Sequence, residues 1–119
     1  MLDPPRPTVL ADLRAWIRRV FGDLTPGVVA DLELVCTELV TNALEHAAGP
    51  RHLRLRRNLE AHTVRVEIDD ASPDLLPTVG VSRLSQQRGR GLQLVDALTR
   101  WGTRRGEHGK TLWAELPVG

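Results

Sequence analysis

Apolar residues recur at helical spacing in three stretches of the chain and alternate with polar ones in three others. Leu10, Leu13, Ile17, Val20 and Phe21 predict a first helix over Thr8–Phe21, with Arg14, Arg18 and Arg19 largely on the opposite face. Thr8 stands where a capping hydroxyl belongs, and Gly22 where a helix stops. Thr25-Pro26 then restarts the chain, a capping hydroxyl followed by the residue best suited to a first helical position. Leu32, Val35, Cys36, Leu39, Val40, Ala43 and Leu44 form the stripe of a longer second helix that runs to about Ala47, where Gly49-Pro50 stops it. The period then changes to two. Leu53 and Leu55 alternate with Arg54 and Arg56, and Val64, Val66 and Ile68 alternate with Arg65 and Glu67. Such runs are strands of an antiparallel pair with one buried face each, joined here by a turn near Glu60-Ala61-His62.

From Ala71 to about Arg90 the pattern disappears, and Pro73, Pro77, Gly80 and Gly89 punctuate the chain. A loop of this length inside a compact domain is a functional lid or a disordered segment; its position between two candidate ligand-binding motifs favours a lid. Leu92, Val95 and Leu98 mark a short third helix that starts at a glycine. Trp101–Arg104, a turn at Gly106-Glu107-His108-Gly109, and Lys110–Leu116 make a final hairpin. In it Leu112, Ala114 and Leu116 face one way and Thr111, Trp113 and Glu115 the other. The sum is an α+β, two-layer sandwich: a mostly antiparallel mixed sheet with about three helices on one face. Residues 1–7, with three prolines, are expected to be an extended arm, and residues 8–119 a single domain with a lid at about 71–90.

Composition narrows the function classes. At 119 residues the chain has room for one core, and a net charge of +1 provides no strong field toward nucleic acid or membrane. Lys110 is its only lysine. The arginine clusters at 54–57 and 104–105 are interleaved with apolar residues or lie by a turn, as on solvated strand faces. A basic nucleic-acid-binding domain is the weakest reading, because no basic groove is interleaved with aromatics. The single Cys36 lies on the apolar stripe and reads as a small buried hydrophobe. No apolar run approaches the roughly 18 residues of a membrane span, and the first residues lack the apolar segment of a signal peptide, so a soluble cytoplasmic protein is expected.

Four groups carry candidate chemistry. Glu38, Asn42 and His46 are spaced at i, i+4 and i+8, one turn apart on one helix face. Asn supplies a neutral oxygen to a hydrated divalent cation, and Glu can accept a proton or orient a water. His46 reads more simply as a helix-end residue favoured by the helix dipole. Asp70 ends a strand just before the lid, and strand alternation turns its neighbour Asp69 to the other face. Gly89-Arg90-Gly91 precedes the third helix, where glycines let the backbone approach a phosphate and free N–H groups meet it. Arg88 and Arg90 add charge-assisted donors.

In this order and at these separations, ELVTNALEHA, DxSP, GRGLQLVDALTRWG and GKTLWAEL resemble the GHKL family of ATP-binding domains, shared by gyrase B, MutL, histidine kinases and anti-sigma-factor kinases. The wording is most similar to the small stand-alone anti-sigma-factor serine/threonine kinases, over Leu32 to Leu116. The resemblance implies a Bergerat-type fold, ATP and Mg²⁺ as ligands, and phosphorylation of a partner's Ser or Thr. It assigns Glu38 as the catalytic base, Asn42 as the metal ligand and Asp70 as the acceptor for the adenine amino group. It makes Gly89, Gly91 and Leu92, with Arg88 and Arg90, the phosphate cradle, and Thr111 a hydroxyl backing up Asp70. It implies a sigma factor and an anti-anti-sigma protein as partners, and allows a homodimer through the first helix. Ser72 and Asp74 stand where the family has glycines. That departure motivates an alternative of the same fold: a non-catalytic ATP-binding or nucleotide-independent protein-interaction switch.

Overall fold

The computed structural model describes residues 7–72 and 93–118. Two long helices come first, α1 (Val9–Val20) and α2 (Pro26–His46), followed by β1 (His52–Asn58) and β2 (Thr63–Asp70). A helical segment, α3, covers 93–98. The hairpin β3 (Arg100–Arg105) and β4 (Lys110–Pro117) closes the chain. The strands form a four-stranded sheet in the order β1-β2-β4-β3, every pairing antiparallel. The expected α+β architecture is therefore observed, and among the described residues the sheet is antiparallel throughout. The expected lid at 71–90, the glycine turn before α3 and most of the N-terminal arm lie outside the described residues.

Local signals explain most boundaries. Thr25 caps α2 by accepting the Val28 N–H at 3.4 Å, and Pro26 follows at the first helical position. At α1 the capping expectation fails. The Thr8 hydroxyl donates to Asp12 at 3.0 Å, and no side-chain cap bond forms. The carboxylate is the stronger acceptor, and Thr8 has lost the extended backbone that a capping residue needs. Val20, expected on the inner face of α1, is 45% exposed, while Val9 is buried in its stead. The buried stripe of α1 runs at a spacing of four, through Val9, Leu13 and Ile17 to Phe21, and leaves Val20 beside it.

The core forms between the helices and one sheet face. Ile17 of α1, Leu32, Val35, Cys36 and Val40 of α2, and Val64 and Val66 of β2 are fully buried. Each such side chain contributes about 1.5–3 kcal/mol of transfer free energy. Cys36 serves there as a hydrophobe, its thiol pushed up to about 12 by burial and hence protonated. Among the described residues the opposite sheet face carries charged side chains and Trp113 in place of an apolar layer. Arg54, Arg56 and Arg65 converge on Glu67, which is 3% exposed because guanidiniums cover it. Arg65 also stacks 4.4 Å above Trp113, whose indole lies across Gly102, where a Cβ would meet the ring at 2.7 Å.

Candidate functional site

The pairing register decides which side chains share the end of the sheet. In β2 and β4, Asp69 opposes Thr111 and Asp70 opposes Lys110. Side chains of directly opposed residues lie on the same face, so the two acids and their partners separate into two layers. On the outer face, Thr111 donates its hydroxyl to Asp69 Oδ1 at 2.6 Å. Arg54 grips the same carboxylate through both terminal nitrogens, one of them at 3.0 Å to Oδ1. Burial works against the Asp69 charge, but the guanidinium and the hydroxyl outweigh it and hold its carboxyl below the usual range. Thr111, expected beside Asp70, is therefore placed beside Asp69: antiparallel register puts that hydroxyl on the other side of the sheet from Asp70.

On the inner face, Asp70 has two close partners among the described residues. Oδ2 accepts from the Lys110 ammonium at 2.8 Å, and Oδ1 accepts from the Ser72 backbone N–H at 2.8 Å. The side chains of Lys110 and Asp70 are 5% and 3% exposed. The ammonium also donates to the Ser72 carbonyl at 3.2 Å. Gly109 lets the hairpin approach this closely, because a Cβ there would meet the Asp70 carbonyl oxygen at 2.0 Å. Sequence reasoning missed Lys110. The available signal was positional: the chain's only lysine directly follows the glycine turn that brings β4 back beside the end of β2.

The same corner is stitched to α2. Ala71 donates its N–H to the Ala48 carbonyl at 2.9 Å, and the Ser72 hydroxyl accepts the Ala48 N–H at 2.7 Å. Ser72 thus joins the segment after α2 to the segment after β2, an anchoring role for a hydroxyl where the resemblance expected a glycine. Arg51 Nε donates to the Ala43 carbonyl at 3.0 Å, which also accepts the Ala47 N–H, and its terminal nitrogen donates to the Ala47 carbonyl just past the helix end. The C-terminal half of α2 is thereby tied to the end of β2 that carries Asp70. Glu38 and Asn42 lie on that half, one turn apart, both half-buried at the margin of the core stripe. His46 is exposed at the helix end. The other sequence-predicted residues, Arg88, Gly89, Arg90, Gly91 and Leu92, lie outside the described residues, as does Asp74.

An open groove of about 390 Å³ runs along the strand ends, lined among others by Arg54, Arg105, Asp70 and Lys110. The corner thus offers a neutral oxygen and a carboxylate on α2 and a buried acid–ammonium pair on the sheet, beside a basic groove.

The sequence profile of the histidine kinase-like ATPase domain matches residues 4–116. The chain belongs to that family. Domains of this family bind ATP, typically with Mg²⁺. Solved structures agree on the fold. The histidine kinase domain of the blue-light-activated histidine kinase from Erythrobacter litoralis superposes with a TM-score of 0.56 at 20% identity, covering 92% of this chain and 63% of that one. The longer structure of the same kinase gives 0.59 at 20% identity over 92% of this chain and 40% of that one. Full-length ShkA in complex with AMPPNP gives 0.57 at 23% identity, covering 76% of this chain and 22% of that one. The chain therefore spans less than two thirds of each of these proteins. No curated protein sequence matches it. Among the described residues no helix is long and apolar enough to cross a membrane.

Proposed function

We propose that this member of the histidine kinase-like ATPase family is an ATP- and Mg²⁺-binding regulatory domain of the anti-sigma-factor kinase type. In that role it holds a sigma factor and phosphorylates a Ser or Thr of an anti-anti-sigma partner. The supporting observation is the stitched corner, where hydrogen bonds at Ala48 tie the half of α2 carrying Glu38 and Asn42 to the strand end carrying Asp70. Bound ATP·Mg²⁺ supplies the γ-phosphoryl group and screens its charge. Asn42 would offer the metal a neutral amide oxygen, a hard ligand of the kind Mg²⁺ takes. Glu38, one turn earlier, takes the proton that the partner's hydroxyl loses. Asp70 is the acceptor for the purine amino group. The Gly89–Leu92 turn, with Arg88 and Arg90, provides N–H and guanidinium donors for the phosphates.

Calorimetric titration of ATP·Mg²⁺ into the chain and into Asn42→Ala tests this reading. Binding that weakens at least tenfold in the variant is the expected result. Unchanged binding would remove Asn42 from the site, and with it the assignment of the α2 face.

One observation favours the second reading, a protein-interaction switch that works without nucleotide. The carboxylate meant for the purine is already bonded to Lys110 and Ser72. Capture of a sigma factor at equal affinity with and without ATP·Mg²⁺ would select it.

A further inference from the structure

We infer that Lys110 is a specificity-determining residue of the nucleotide pocket: its ammonium occupies, from within the chain, the acceptor on Asp70 that a purine amino group requires, and so restrains ATP binding. This inference rests on the reading of Asp70 as the purine acceptor.

The geometry gives a neutral ligand little opening. Lys110 Nζ lies 2.8 Å from Asp70 Oδ2, and the Ser72 N–H lies 2.8 Å from Oδ1. A carboxylate has lone pairs for more than two bonds, but with 3% of this side chain exposed a further donor reaches it only when a present one moves. The Ser72 N–H is held by the backbone, whose neighbouring groups are bonded to Ala48. Lys110 is held by its side chain alone and is the partner able to leave. A purine amino group is uncharged, so its hydrogen bond to the carboxylate lacks the Coulomb attraction between opposite charges that the ammonium adds. The internal ammonium therefore outcompetes the base, and binding must repay the broken pair.

The pair is held in place without being locked in. Asp70 and Lys110 are register partners on adjacent strands, and Gly109 brings the hairpin against the Asp70 backbone. Both residues line the open groove at the strand ends, so a displaced ammonium has a solvent-facing space to enter. Ser72 contributes twice: its N–H holds Oδ1 and its carbonyl accepts from the ammonium. The residue that departs from the family's glycine thus helps to keep Lys110 where it is. A short hydroxyl in place of Lys110 would leave Oδ2 open to the base.

The test is calorimetric titration of ATP·Mg²⁺ into the wild-type chain, Lys110→Thr and Lys110→Gln, with thermal melts to confirm folding. The inference predicts binding at least tenfold tighter in Lys110→Thr than in wild type, with Lys110→Gln between them because an amide donates without charge. Equal or weaker binding in the folded variants, beside measurable binding by wild type, overturns the inference and leaves Asp70 as the purine acceptor. Absence of binding in all three chains overturns both. A second measurement needs no variant. Because Lys110 is the only lysine, reductive methylation followed by mass spectrometry reads its ε-amine directly, apart from the chain's α-amine. The folded chain should label at least tenfold more slowly there than the chain in denaturant. Equally fast labelling would show that the pair does not hold in solution, and the inference would fall.

Discussion

Asp69 and Asp70 are adjacent in the chain and carry the same side chain, yet the two sheet faces treat them differently. Asp69 stands on the outer face, 30% exposed, within a set of charges where Arg54 also serves Glu67 and Thr111 adds a hydroxyl. Asp70 stands on the inner face, 3% exposed, with one ammonium and one backbone N–H. The outer site is redundant and partly hydrated, so losing one partner leaves others and water. The inner site has no such reserve. The comparison teaches that an acid's energetic weight here follows from the alternation of the strand, which sets both its exposure and the partners it meets, and not from its charge alone.

The largest expected effect breaks the inner pair. Asp70→Ala takes the carboxylate from the ammonium, which must then leave its buried position for the groove, and should destabilise the fold by about 1–3 kcal/mol, read from chemical denaturation. Replacing both members, as in Asp70→Leu with Lys110→Met, should restore most of that loss, because desolvation of two ions is then avoided. A double variant as unstable as the single one would show that the pair has a structural role beyond its charges.

Asp69→Ala sharpens the contrast from the outer side. A partly exposed pair with alternative partners should cost about 1 kcal/mol or less, a small shift in the denaturation midpoint. A loss as large as that of Asp70→Ala would erase the distinction between the faces.

The smallest effect is one of pH, and its sign follows from the outer face. Burial opposes the charge on Glu67, but the guanidiniums of Arg65, Arg54 and Arg56 prevail, so its carboxyl titrates below the ordinary range, as that of Asp69 does. Groups depressed in the folded state contribute stability above their unfolded pKa values, about 4, and that contribution is lost as pH falls through the lower folded values. Melting temperature should therefore hold near neutrality and decline below about pH 4, with a shallower decline in Glu67→Gln. An unchanged slope would remove Glu67 as a source of acid sensitivity.

Much of the fold was legible in the residues, and the reasons are local. The stripe from Leu32 to Ala43, the Thr25-Pro26 restart and the alternation of Val64, Val66 and Ile68 each report a regular element with one buried face. The separation of Asp69 from Asp70 was equally legible, since it needs only the period of a strand. Errors arose where one local signal competed with another. Thr8 has the chemistry of a cap, but Asp12 lies within reach of its hydroxyl. Val20 has the spacing of the stripe, but not the packing. Thr111, expected beside Asp70, bonds Asp69 instead, on the outward face that its alternation with Leu112 already gave it.

That division is general to this molecule. The sequence by itself determined the order and type of the elements, the inward side of each strand and the set of candidate residues, because periodicity and turn chemistry act over a few neighbouring positions. Only the tertiary structure decided what those residues meet. The antiparallel register of β2 and β4 set Thr111 beside Asp69 and Lys110 beside Asp70, residues some forty positions apart. A shift of one residue would have set Asp70 opposite Thr111 or Asp69 opposite Lys110, and would have turned the apolar set of one strand to the wrong face; the observed register avoids this. What selects it is the joint burial of Val64, Val66, Ile68, Leu112, Ala114 and Leu116 against the helices, and the close approach that Gly109 permits.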